Sequence, residues 1–293
     1  MLIAIGAGKV GDFYGTSEDG TCFREKRKMR QLLCSSVALY IAVILCAPLH
    51  AQDTVTVTNC PGQEPLPVLV QVDCSNVADP ATRNFCQPFA ENQACKVIPA
   101  YLKITGIHIE NSCPKIKYTI YDKDKWPSKL SGYGGYTVGC NTQYMADVSV
   151  LYKSQIGPYD VHEILHIYLF SLGALPDSHI LFGSSMAEAT RLIGDNKGYV
   201  RWMTLLNSET NRMQAEFEKG TIKPEMQCSL AETYIDESLY LKDTNNAQQF
   251  YLKLVRNGKQ DMVDAQSRFN RMFDVVSGGT AKPYLLSHGC PSF

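Results

Sequence analysis

Apolar residues alternate with polar ones in the middle of the chain and recur at helical spacing towards its end. Thr54-Val55-Thr56-Val57-Thr58 alternates, and Pro67 to Val72 is rich in β-branched residues, so both stretches read as strands. Residues 80–106 carry a loose helical pattern through Phe85, Phe89, Val97 and Leu102. Ile116 to Tyr121 sets Ile, Tyr and Ile against Lys and Thr, a further strand, and the polar run 122–131 with Pro127 reads as a turn or loop. Gly132-Tyr133-Gly134-Gly135-Tyr136 reads as a hairpin loop or as a place where another group approaches the backbone closely. Met145 to Tyr152 is the last expected strand.

From Pro158 the period changes to that of a helix, which runs to Leu172 and stops at Gly173. Val161, Ile164, Leu165, Ile167, Tyr168, Leu169, Phe170 and Leu172 make it apolar nearly all round, the pattern of a helix buried within its domain. Ser184 and Ser185 read as an N-cap pair for a second helix through Leu192, ended by Gly194-Asp195-Asn196. Helices are expected at 199–219, 229–241, 246–256 and 259–276, with the last twenty residues returning to loop. The pattern is that of an α+β chain: a disulfide-stapled, sheet-rich lobe at 52–157, then a mainly helical lobe at 158–293.

The first fifty residues follow a different plan. Lys26-Arg27-Lys28-Met29-Arg30 precedes an apolar run from Leu32 to Pro48 and a small residue at Ala51. A basic cluster, an apolar core and a small residue make the layout of a secretory signal peptide at 29–51. Met29 is then the start, residues 1–28 are an extension, and cleavage leaves a single domain at 52–293 with no stable membrane span. Eight cysteines fall in that domain: Cys60, Cys74, Cys86, Cys95, Cys113, Cys140, Cys228 and Cys290. An even number without close C-x-x-C pairs predicts four disulfides in a secreted or periplasmic protein, with the pairing open. The net charge of −1 and the lack of a basic stripe argue against a nucleic-acid partner.

Candidate chemistry lies in the apolar helix. His162-Glu163-Ile164-Leu165-His166 reads H-E-x-x-H. Residues four apart share a helix face, so two imidazoles can reach one metal ion, and Glu163 can reach a water bound to it. Two histidines and a carboxylate on a buried helix are costly unless paired or bound to metal, which supports a ligand independently of the motif. A catalytic zinc needs a third protein ligand. Glu188, 22 residues beyond His166 on the second helix, is the leading candidate; His179, Asp177 and Asp195 are rivals.

On His162, Glu163, His166 and Glu188 the chain resembles the gluzincin branch of the zincin metallopeptidases. In that branch an HExxH helix is followed by a helix supplying a glutamate ligand. The resemblance covers about residues 145–195, with Ala187 and Leu192 standing where better-known members carry Asn and Asp. It implies a zincin-like fold, a Zn2+ cofactor, a peptide or protein substrate, and Glu163 as general base. It further implies that a strand around Asp147–Leu151 holds the extended peptide. Tyr199 and His179 are candidate oxyanion donors, with Tyr234 and His288 behind them. The alternative is a non-catalytic secreted binding protein on the same scaffold.

Overall fold

Alternating burial along five short strands builds one mixed sheet in the computed structural model. The strands are β1 (Thr54–Val57), β2 (Leu69–Asn76), β3 (Lys115–Tyr121), β4 (Gly135–Val138) and β5 (Asn141–Met145), ordered β1-β2-β3-β5-β4. β2, β3 and β5 run parallel, while β1 and β4 are antiparallel to their neighbours. Val70 and Val72 on β2, Ile116, Tyr118 and Ile120 on β3, and Thr142 and Tyr144 on β5 are fully buried. This is the period-2 signature of a sheet with one face on the core. The structure describes residues 53–61, 66, 68–146, 158–171, 181–246, 248–249 and 265–290. The signal-peptide stretch and the 147–151 strand lie outside these residues.

Helices cover the buried face. Asp79 caps α1 (Pro80–Arg83) by accepting from Ala81 N and Thr82 N. α2 (Cys86–Asn92) continues through a π-helical turn at Gln93–Val97 into α3 (Ile98–Thr105), which stops at Gly106 with φ 66°. Phe89 on α2 meets the rings of Tyr118 and Tyr144 edge-on, at centroid distances of 5.4 and 5.8 Å. α4 (Pro158–Ser171) docks on α3 through two buried tyrosines. Tyr101 donates to Val161 O at 2.6 Å, and Tyr168 donates to Ile98 O at 2.9 Å. Such bonds let large apolar rings be buried without orphaning their hydroxyls.

The remaining helices are α5 (Phe182–Ile193), α6 (Asn196–Lys219), α7 (Pro224–Lys242), α8 (Ala265–Val276) and α9 (Ala281–Ser287). Among the described residues the main hydrophobic core runs from Val55 to Cys290, with a smaller cluster of Ala187, Leu206 and Tyr240, and residues 51–293 form one unit. The fold is therefore α+β with a small mixed sheet and a mainly helical second half. The cysteines pair as Cys60–Cys95, Cys74–Cys86, Cys113–Cys140 and Cys228–Cys290, four bonds that fit an oxidising compartment. Among the described residues no helix is long and apolar enough to cross a membrane.

Two expectations need correction. α5 begins at Phe182, not at a Ser184-Ser185 cap: the chain turns at Leu181 (φ 66°), and the Ser184 hydroxyl bonds Asp236 instead of capping backbone. Of the strand expected from Met145 to Tyr152 only Met145 and Ala146 are described, and Met145 closes β5, which begins at Asn141. The C-terminal stretch contains α9, since Pro283 lies in its first turn, where a backbone N–H has no helical partner to lose. Of the helix expected at 246–256, residues 247 and 250–256 lie outside the described residues.

Candidate metal centre

The apolar surroundings of α4 hold its polar residues in place. Val161, Ile164, Leu165, Ile167, Tyr168 and Leu169 are all at most 2% exposed, so the helix cannot rotate without exposing core surface. His162 and His166 share a face, half-buried, with ring centroids 5.1 Å apart. One ligand atom each from His162, Glu163 and His166 lies within 4.8 Å of the other two. Phe182, first residue of α5, packs on both imidazoles with centroids at 4.6 and 4.7 Å. Two nitrogens at i and i+4 with a carboxylate beside them fit a divalent metal with a bound water.

Glu163 is 4% exposed and faces the edge strand β4. The Thr137 hydroxyl donates to its Oε2 at 2.6 Å. Thr142, buried on β5, has its hydroxyl 3.2 Å from that of Thr137. A Cβ at Gly135 would lie 2.5 Å from Glu163 Oε1, so only glycine fits there without displacing the carboxylate. Burial pushes the Glu163 carboxyl up to about 7, against the lowering effect of the Thr137 hydrogen bond.

No family model, curated protein or solved structure matches this chain. The site therefore rests on its own geometry.

Glu188 is not brought into the histidine group. It is 3% exposed, and both oxygens are engaged: Arg191 donates from Nη2 to Oε1 at 2.5 Å and from Nε to Oε2 at 2.8 Å. Tyr240 on α7 adds a hydrogen bond to Oε2 at 3.1 Å. The reason is helical phase. Glu188 is six residues past Phe182, so at about 100° per residue it points about 120° away from the face that meets the imidazoles. It lies about 40° from Ser184, on the side of α5 turned towards α7.

The other candidates separate in the same way. Asp195 caps α6 by accepting from Gly198 N at 2.9 Å. Tyr199 belongs to the network of Tyr240, Glu188 and Arg191. Tyr234 stacks on Tyr284, and His288 packs on Phe217 and Tyr284 with Nδ1 2.7 Å from Tyr284 O. Asp177 and His179 lie outside the described residues. A second donor cluster, Cys228, Glu232 and Cys290, is not a metal site, because its two sulfurs are joined as a disulfide and have no thiolate to offer.

Sequence reasoning misses Thr137 and the α5–α7 seam, whereas Gly135 lies in a glycine run it marks. The glycine run at 132–135 is a signal for close approach. Nothing marks Thr137, whose partner lies 26 residues away. In the seam the Ser184 hydroxyl donates to Asp236 Oδ1 at 2.5 Å, and Gly183 backs onto Glu237 and Leu206. Burial raises the Asp236 carboxyl to about 7. Glu237 is raised to about 9 by burial and by the charges of Asp236 and Glu209, against lowering by Thr210 and Arg212.

Proposed function

We propose that this chain is an exported zinc-dependent peptidase of zincin type, with His162 and His166 as metal ligands and Glu163 as general base. The observation that carries the reading is the triad itself: two imidazoles and a buried carboxylate within 4.8 Å of one another on one helix. Bound zinc would polarise the scissile carbonyl and acidify its water. Glu163 accepts the water's proton and passes it to the leaving amine. The apolar flanks of α4 and the Phe182 ring cover one side of the imidazoles, which stay half-buried.

Glu188, turned about 120° from the imidazoles and held by Arg191 and Tyr240, would serve as the third ligand only if α5 turned about its axis and released those partners. Metal analysis of the purified chain tests the centre: about one zinc per chain is expected, lost in His166→Ala. Glu163→Gln should keep the zinc and lower hydrolysis of an unfolded protein substrate by about 10²–10⁴-fold. Zinc binding that survives with no hydrolysis in either form points instead to a non-catalytic binding protein. Glu188→Gln decides its role: a large loss of zinc affinity makes it a ligand, and unchanged affinity makes it a clamp between α5 and α7.

A further inference from the structure

We propose that Gly135 and Thr137 on the edge strand β4 form a seat that positions the Glu163 carboxylate. The inference rests on reading Glu163 as the general base and goes beyond it by naming what aims that base. Residues two apart on a strand point to the same side. Gly135 and Thr137 both turn towards α4, while Tyr136 and Val138 between and beyond them are exposed.

The two carboxylate oxygens have separate places in this seat. Oε2 receives the Thr137 hydroxyl at 2.6 Å. Oε1 lies against the Gly135 backbone, in the space a side chain would take. Thr137 is itself oriented by the buried Thr142 hydroxyl, its partner in the β4–β5 register. The hairpin carrying all three is tied down at its turn, where Cys140 bonds Cys113 ahead of β3. Glu163 has no freedom to leave, because α4 around it is buried. A carboxylate on a helix is thus oriented by a strand, and the strand is locked to the sheet. Thr137 is a positioning residue: it acts through Glu163.

The seat makes a demand that mere packing does not. Packing at 137 requires volume, whereas positioning requires a hydroxyl. Thr137→Val keeps the shape and removes the donor, and Thr137→Ser keeps the donor and removes a methyl. The experiment measures kcat and KM on unfolded fluorescent casein, zinc content, and the visible spectrum of the cobalt-substituted protein. Thr137→Val is expected to lower kcat by about 10–100-fold, the usual effect of removing a partner that orients a site residue. KM and zinc content should stay within about twofold, and the cobalt spectrum should shift. Thr137→Ser should recover kcat to within about threefold and restore the spectrum, and Gly135→Ala should reproduce the Val defect.

Wild-type kcat in Thr137→Val overturns the proposal, as does a Val defect that Ser does not repair. Wild-type protein that binds neither zinc nor cobalt and cuts no casein sinks the peptidase reading, and this inference with it. Metal binding and turnover with an indifferent Thr137 sinks this inference alone.

Discussion

A buried carboxylate needs a partner, and the two on successive helices have solved that need differently. Glu163 has a neutral hydroxyl and stays near the histidines. Glu188 has a guanidinium whose side chain is 45% exposed, so the pair is a buried anion anchored to a half-solvated cation. Removing one partner leaves the other uncompensated, and the buried one suffers more. Arg191→Met should therefore destabilise the protein by about 1–3 kcal/mol. Glu188→Gln, which keeps an acceptor and removes the charge, should cost less. Urea denaturation of both variants checks the order, and the reverse order would count against the clamp. Tyr240→Phe removes the third contact and should fall between zero and about 1.5 kcal/mol.

The α5–α7 seam makes stability depend on pH. Asp236 and Glu237 are adjacent on α7, buried, and raised to about 7 and about 9 from 3.8 and 4.5. Glu209 and Arg212 reach Glu237 from α6, while α5 presents Gly183 and the Ser184 hydroxyl. A carboxyl raised in the fold stays protonated where the unfolded chain has already ionised. Its contribution is complete below about pH 4 and declines as pH climbs through about 7 for Asp236 and about 9 for Glu237. The melting temperature should fall between pH 5 and pH 9. Glu237→Gln should flatten the upper half of that fall and leave the lower half to Asp236 and Glu163. Parallel curves for wild type and variant would remove the seam as the cause. None of this is legible in the sequence, where Asp236-Glu237 falls in the helix expected at 229–241 with nothing to mark the pair as buried. The HExxH pair is legible because four-residue spacing is a property of one helix. The strands at Thr54, Leu69 and Lys115 are legible because one face of each is apolar. Partners that meet across the fold, such as Thr137 with Glu163 or Ser184 with Asp236, carry no local pattern at all.

Across the molecule the disulfides divide the work unevenly. Three lie in the sheet-bearing half, and the fourth ties the C-terminal tail to α7 across 62 residues. Cross-links stabilise chiefly by restricting the unfolded chain, more so for longer loops. Replacing Cys228 and Cys290 by Ala should cost about 4 kcal/mol, against about 3 for Cys74 and Cys86, whose loop spans 12 residues. Chemical denaturation of the two double variants ranks them. The Cys113–Cys140 bond has a consequence of another kind. It fastens the hairpin from which Gly135 and Thr137 face Glu163. A chain still reduced, as at synthesis, carries the same three residues of the motif but not their fixed relation. If the chain is the exported peptidase proposed above, competence to cut would arrive with oxidation of this bond. A Cys113→Ala/Cys140→Ala chain that stays folded yet loses turnover would show that timing directly.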